Sequence, residues 1–425
     1  MKRIFPFAIL LLSRLTMAAP AMQVEATYMP LDGGLRNGPW RAALQREDGN
    51  NIVFNFDVKD SLGRKILLIK NADERLLVDD VTLKGDSVLI RLPFFESQLK
   101  AALTKDGDLE GVWLKRGATN YSSVPFRAYH GQSFRFAPSG SEKGGSMPVA
   151  DISGRWRAVF HSHGGKDTSL RIGEFRQNGN RVTGTFLDPT GDFRYLEGIV
   201  DRDSLRMSCF DGGHAYLFTA RVAGKELSGG QFFAGGAGHE IWSAVRDSKA
   251  TLPDEFTLTK WKKDAGPLHF TFRDIGGKTV SFSDSRFKGK VVLIQIMGSW
   301  CPNCMDETRF LSSFYDQYHS KGVEVVALAY ERSTDFTRSQ TSLRSFQQRF
   351  QVKYPILITG VAVGDTQRTE KTLPILERIV GFPTTIFVDR QGNILRIHTG
   401  FNGPGTGEHY EEQKKEFNRI VDAML

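Results

Sequence analysis

The sequence predicts a multidomain chain in which two antiparallel all-β modules, each a barrel or a sandwich, precede an α/β layered domain. Three observations carry this reading. Residues 22–248 combine dense glycine with short alternating apolar runs and little helical periodicity, the texture of structure built from hairpins. Within that region a pattern recurs: Gly38-Pro39-Trp40-Arg41-Ala42 returns as Gly154-Arg155-Trp156-Arg157-Ala158, and Leu109-Glu110-Gly111 returns as Leu227-Ser228-Gly229. From about residue 263, strand-like and helix-like patterns alternate instead, as a layered α/β domain requires.

At 425 residues the chain has room for about three domains. Residues 1–21 read as a signal peptide, with Lys2 and Arg3, the apolar Ile4 to Leu12, and Ala19-Pro20-Ala21 as a small-residue cleavage site, although Arg14 interrupts the pattern. The expected location is therefore the periplasm or another extracytoplasmic compartment. No later apolar run approaches 18 residues, so no transmembrane segment is expected in the mature chain. Loss of residues 1–21 removes three basic and no acidic side chains, reducing the formal charge from +8 to +5. That excess comes without a long Lys/Arg cluster, which argues against a nucleic-acid partner.

Residues 22–138 form the first expected β module, and a Gly/Ser-rich linker over 139–150 separates it from the second, 151–248. In the second module Gln177 to Gly184 loosely resembles the opening of lipocalin-like and avidin-like barrels, a likeness that implies no ligand. His161, His163, His214 and His239 follow no metal-ligand spacing and read as surface or hydrogen-bonded histidines. Cys209, beside Phe210, reads as a buried small hydrophobe, while an odd cysteine in an exported chain leaves intermolecular pairing open. Residues 249–262 read as a second linker.

In the last domain, 263–425, Val291 to Ile296 is an apolar run suited to a central buried strand. A helix follows, with Phe310, Leu311, Phe314, Tyr315 and Tyr318 at three- and four-residue intervals, ending near Gly322. Val323 to Tyr330 reads as a strand, Leu343 to Phe350 as a helix, Tyr354 to Ile358 as a strand and Leu373 to Val380 as a helix. Gly381-Phe382-Pro383-Thr384-Thr385 opens the strand Ile386 to Val388, Asp389 to Asn393 turns it into Ile394 to His398, and an amphipathic helix with Phe417, Ile420, Val421 and Leu425 closes the chain. Between them, the loop Gly400 to His409 borders the expected site; His398 and His409 flank it and receive no catalytic role.

The chemistry concentrates at Trp300-Cys301-Pro302-Asn303-Cys304, at a strand-to-helix junction. A thiol at a helix N-terminus lies near unpaired backbone N–H groups and the positive end of the helix dipole, both of which favour its thiolate. In such motifs the pKa falls from about 8.5 to roughly 3.5–7.5. Cys301 is therefore the expected nucleophile, and Cys304 the thiol that resolves a mixed disulfide. A structural disulfide and half of a zinc site are the competing readings. Zinc lacks two further ligands, since the remaining cysteine is Cys209, and Met305 stands where haem attachment requires histidine. No cofactor and no metal is expected.

Residues 263–425 resemble the thioredoxin fold, and within it the TlpA-like thiol:disulfide oxidoreductases of the redoxin superfamily. The resemblance rests on Lys288-Gly289-Lys290-Val291-Val292-Leu293, on Gly298-Ser299-Trp300-Cys301-Pro302-Asn303-Cys304, on Glu307, and on Gly381 to Asp389. It implies a redox-active Cys301–Cys304 disulfide, a cis Pro383 lying against the cysteines, and a Phe382 backbone open to an extended substrate segment beside Trp300. It also implies protein disulfide substrates and an upstream thiol electron donor. Thioredoxins proper carry a buried aspartate where this chain has Gln295, so Glu307, one turn beyond Cys304, is the expected proton-managing residue, against the reading of a solvated first-turn charge. Arg309 stands where many TlpA-like chains have proline. Two other functions compete. A peroxidase of peroxiredoxin type would need proline and Thr/Ser where Ile294 and Gly298 stand, and a ligand-binding β protein would use the redox domain as an accessory.

Overall fold

The computed structural model describes residues 34–425 apart from 94–95, 138–147, 149, 163–164, 166 and 265. The expected signal segment, most of the linker 139–150 and His163 lie outside the described residues. Two antiparallel sheets and a mixed sheet with helices follow one another along the chain.

Nine strands from Gly38–Leu44 to Tyr121–His130 form the first sheet, an up-and-down meander whose first and last strands pair with each other. It is nearly closed: Glu74–Val78 and Asp80–Lys84 stand at its two edges. The second sheet runs from Gly154–Ser162 to Gly238–Arg246. It closes fully, because Thr168–Asn178 also pairs with Arg181–Asp188. Closure removes the exposed edges that invite aggregation.

The sequence repeat has a physical cause. Trp40 and Trp156 are both fully buried, and each indole N–H donates to the carbonyl four residues earlier, Arg36 at 3.0 Å and Ile152 at 2.8 Å. Gly38 and Gly154, two residues before them, have φ of +112° and +108°, a region that disfavours side chains. Each tryptophan thus buries its ring in the core of its own sheet while its N–H ties the chain entering the first strand. Leu109 and Leu227 are buried equivalents on the penultimate strands. The two barrels also share a core. In Ser204–Phe210 the alternation sends Cys209 into the second barrel and Phe210 into the first, where its ring stacks on Phe54 at 4.0 Å.

The mixed sheet has the spatial order Thr279–Ser281, Thr271–Asp274, Ile356–Ile358, Val323–Ala329, Val291–Met297, Thr384–Val388, Ile394–Thr399. The three central strands Ile356–Ile358, Val323–Ala329 and Val291–Met297 are parallel, and Thr384–Val388 is antiparallel to the last of them. Every residue of Val291–Met297 is buried, with Leu293 and Met297 facing one core and Val292, Ile294 and Ile296 the other. The helices α1 (Pro302–Tyr318), α2 (Phe336–Phe350) and α4 (Glu408–Asp422) cover the first core. Arg309 leaves α1 continuous and pairs with Asp306 at 3.2 Å.

Two helix expectations change. α2 starts at Phe336, earlier than Leu343, because the Asp335 carboxylate caps it by accepting from the Arg338 N–H at 2.6 Å. The helix expected over Leu373 to Val380 is not formed. A short α3 (Arg368–Thr372) ends instead at Leu373, and Trp261 bridges Leu376. Pro374 is the reason, since the residue before a proline is driven out of the α region.

The segment 249–262 packs on the α/β domain: Thr259 is buried with its hydroxyl 2.7 Å from that of Thr399, and the Thr399 N–H donates to the Glu255 carbonyl at 3.0 Å. Both barrels touch this domain directly. Arg338 of α2 donates to Glu96 at 2.6 Å and to the carbonyls of Gly117 and Ala118 in the first barrel, and His409 meets Glu174 of the second at 3.0 Å.

Candidate active site

The buried strand Val291–Met297 delivers the chain into Gly298-Ser299-Trp300, and α1 begins one residue later. Gly298 leaves room for Trp300, since a Cβ there would lie 2.2 Å from the indole nitrogen. The indole folds back and donates to the Tyr330 carbonyl at 2.8 Å. Cys301 is the N-cap of α1. Its sulfur accepts from the Cys304 N–H at 3.3 Å, and Pro302 occupies the first helical position, where no N–H is needed. Both thiols are free; Cys301 is 5 % exposed and Cys304 fully buried.

The Phe382–Pro383 peptide is cis. The Phe382 carbonyl lies 3.6 Å from the Cys301 sulfur, and the Phe382 ring meets Trp300 edge-on at 5.5 Å. The Phe382 carbonyl therefore stands beside the first thiol, with the Trp300–Phe382 ring pair next to it.

Gln295 faces α1. Its amide donates to Glu307 at 2.8 Å and to Thr308 at 3.0 Å, and the Thr385 hydroxyl donates to the other Glu307 oxygen at 2.7 Å. Glu307 is fully buried, and burial pushes its carboxyl up to about 7 against those two donors. The Cys304 thiol is pushed far up, first by burial, then by its hydrogen bond with Cys301 and by the charges of Cys301 and Glu307. The structure thus brings Trp300, Cys301, Cys304, Glu307, Phe382 and Pro383 together. Glu307 lies in the core, where a solvated first-turn charge has no place.

Two features escaped the sequence reading. Buried Glu331 accepts from the Ser299 N–H at 2.8 Å and from its hydroxyl at 2.7 Å, holding the turn before the thiols. More consequentially, the second barrel reaches the dithiol. Its hairpin Asp188 to Tyr195 lies against α1, with the Thr190 carbonyl accepting from the Asn303 amide at 3.3 Å, between the two cysteines. Asp188-Pro189-Thr190-Gly191 announces a turn, but nothing local announces what the turn touches. The stretch 249–262, read as a linker, therefore does not hold the second barrel away from the cysteine-bearing turn.

His398 and His409 lie elsewhere: buried His398 is 3.4 Å from the Gln413 amide, and His409 pairs with Glu174. Cys209 is buried in the second barrel. Among the described residues no group of three or more His, Cys, Asp or Glu is placed to hold a metal ion, and no helix is long and apolar enough to cross a membrane.

Residues 262–414, which include this constellation, match the Redoxin family model. Among curated relatives, the thiol-disulfide oxidoreductase ResA of Bacillus thuringiensis subsp. konkukian is 28% identical over 148 residues, covering 35% of this chain and 74% of the relative. ResA of Bacillus subtilis is 27% identical over 163 residues, covering 38% and 76%. Among solved structures, a thiol:disulfide interchange protein of the thioredoxin family from Chlorobium tepidum is 21% identical with a TM-score of 0.29, covering 38% of this chain and 98% of that one. All three matches account for less than half of the chain.

Proposed function

We propose that this chain is an exported thiol:disulfide oxidoreductase that reduces disulfides in partner proteins through Cys301 and Cys304. The observation that carries the reading is the pair of thiols in the first turn of α1, one at the N-cap beside the Phe382 carbonyl, the other buried within electrostatic reach of Glu307. The Redoxin match and the ResA relatives, themselves thiol-disulfide oxidoreductases, support the same chemistry. The export part rests on the signal pattern of residues 1–21.

In the proposed cycle the Cys301 thiolate attacks one sulfur of the substrate disulfide, and the other sulfur leaves as a thiolate. Cys304 then loses its proton and attacks the Cys301 sulfur. The second substrate sulfur leaves, and two electrons have passed from the dithiol to the substrate. The proton is the difficult part, because Cys304 is buried and strongly favours its neutral form. Glu307, poised near neutrality, is the nearby acceptor, and an external thiol donor returns the Cys301–Cys304 disulfide to the dithiol.

Turnover of a protein disulfide tests this. Cys301→Ser should abolish it, and Cys304→Ser should accumulate a mixed disulfide on Cys301. Full activity of either variant would refute the assignment. N-terminal sequencing of the exported protein, expected to begin near residue 22, tests the export part; an intact Met1 on exported protein would contradict it.

A further inference from the structure

The hairpin Asp188 to Tyr195 is fastened to the redox centre at several points. Asp188 accepts from both the N–H and the hydroxyl of Thr190 at 2.7 Å, which fixes the turn internally. The turn sits so close that no side chain fits between the two bodies. A Cβ on Gly191 would lie 1.8 Å from the Asn303 amide nitrogen, one on Gly381 2.4 Å from the Thr190 methyl, and one on Gly400 2.9 Å from the Pro189 carbonyl. Asp192 accepts from the Gly403 N–H at 2.6 Å.

Arg194 completes the attachment. Its guanidinium pairs with Asp306 of α1, two residues after Cys304, and with Glu74 of the first barrel at 2.9 Å, with Asp211 at 3.9 Å. All three bodies of the molecule meet at this one side chain. Asn303 and Asp306 are both in the opening turns of α1, so the second barrel grips the thiol-bearing turn before and after Cys304.

We propose that Arg194 is a positioning residue of the redox centre, and that the hairpin carrying it holds the first turn of α1 in its reactive geometry. This rests on the dithiol reading above. Without the Arg194 charge, Asp306 keeps Arg309 and Asp211 keeps His214, but the cation that joins Asp306 of α1 to Glu74 and to the hairpin is gone, and the hairpin separates from α1. Displacements of about 1 Å at reacting groups can cost 10²-fold in rate. The Arg194 guanidinium pairs with Glu74, Asp211 and Asp306 and with neither Trp300 nor Phe382, so removing its charge is expected to act on kcat before KM.

The test uses the full-length protein with a small aromatic disulfide as substrate, together with a glutathione redox titration and thermal unfolding. Arg194→Met should lower kcat at least tenfold with KM within twofold of wild type and move the titration midpoint, and Arg194→Lys should recover most of the loss. Gly191→Ala, which leaves the ion cluster intact and forces the turn off Asn303, should lower kcat in the same way and decides the matter if Arg194→Met fails to fold. Folded variants that melt earlier but keep the wild-type kcat and midpoint would reduce the hairpin to scaffolding and overturn the proposal. A wild-type chain that shows no two-thiol couple in the titration would instead sink the dithiol reading, and this inference with it.

Discussion

Glu307 is a carboxylic acid held in the core of the α/β domain by two neutral donors, Gln295 and Thr385. Moving a carboxyl from 4.5 to about 7 corresponds to about 3 kcal/mol. The sign follows from proton counting. Between about pH 4.5 and 7 the folded chain keeps a proton that the unfolded chain has released, so stability falls as pH rises through that window, and the full loss is present above it. Glu307→Gln, neutral at every pH, should remove this slope, gaining about 3 kcal/mol on wild type between pH 4 and pH 8 in urea unfolding. In the proposed cycle the same variant should slow the attack of Cys304 on the mixed disulfide. Equal pH slopes for the two proteins would mean that Glu307 is ionised in the fold. Glu307 was legible in the sequence because it sits one turn from the thiols. Arg194 was not: its partner Asp306 is 112 residues away, and an arginine in a turn carries no sign of four carboxylates.

At the scale of the element, the strand–turn–helix Val291 to Tyr318 builds the site from local rules: a doubly buried strand, a glycine that admits an indole, a thiol as N-cap and proline in the first helical position. Gly298→Ala tests the turn. Its Cβ would displace the Trp300 ring from the Tyr330 carbonyl, and overpacking of this kind costs about 1–3 kcal/mol. Denaturant unfolding should show that loss, along with a shift in tryptophan fluorescence; an unchanged emission spectrum would show that the ring stays in place. Local rules also explain what could be read elsewhere. The strands and helices around the thiols follow from apolar periodicity, and the β repeat from its buried tryptophans. The helix expected over 373–380 failed where periodicity ignored Pro374, and α2 was expected short because its cap, Asp335, precedes the apolar pattern.

At the scale of the molecule, the barrels are bolted to the α/β domain through Arg194, Arg338 and the Glu174–His409 pair. Sequence reading found three folding units but not their docking, because contacts between bodies leave no periodic signature. A fragment beginning at Ala250 keeps Phe256, Thr259 and both cores flanking the mixed sheet, and so should fold. Yet Asn303, Gly381 and Gly400 lose their cover, and its turnover of a small disulfide should fall about tenfold below that of the full chain, by the same misplacement argument. Equal rates would show that the barrels serve partner choice alone. The most direct test of the whole account is a stoichiometric one. The fully reduced chain, mixed with one equivalent of a protein disulfide, quenched with acid, alkylated and mapped by mass spectrometry, should lose two thiols for each substrate disulfide opened, as a Cys301–Cys304 bond with Cys209 still reduced. Retention of both thiols while the substrate stays oxidised, or a new bond to Cys209, would contradict it.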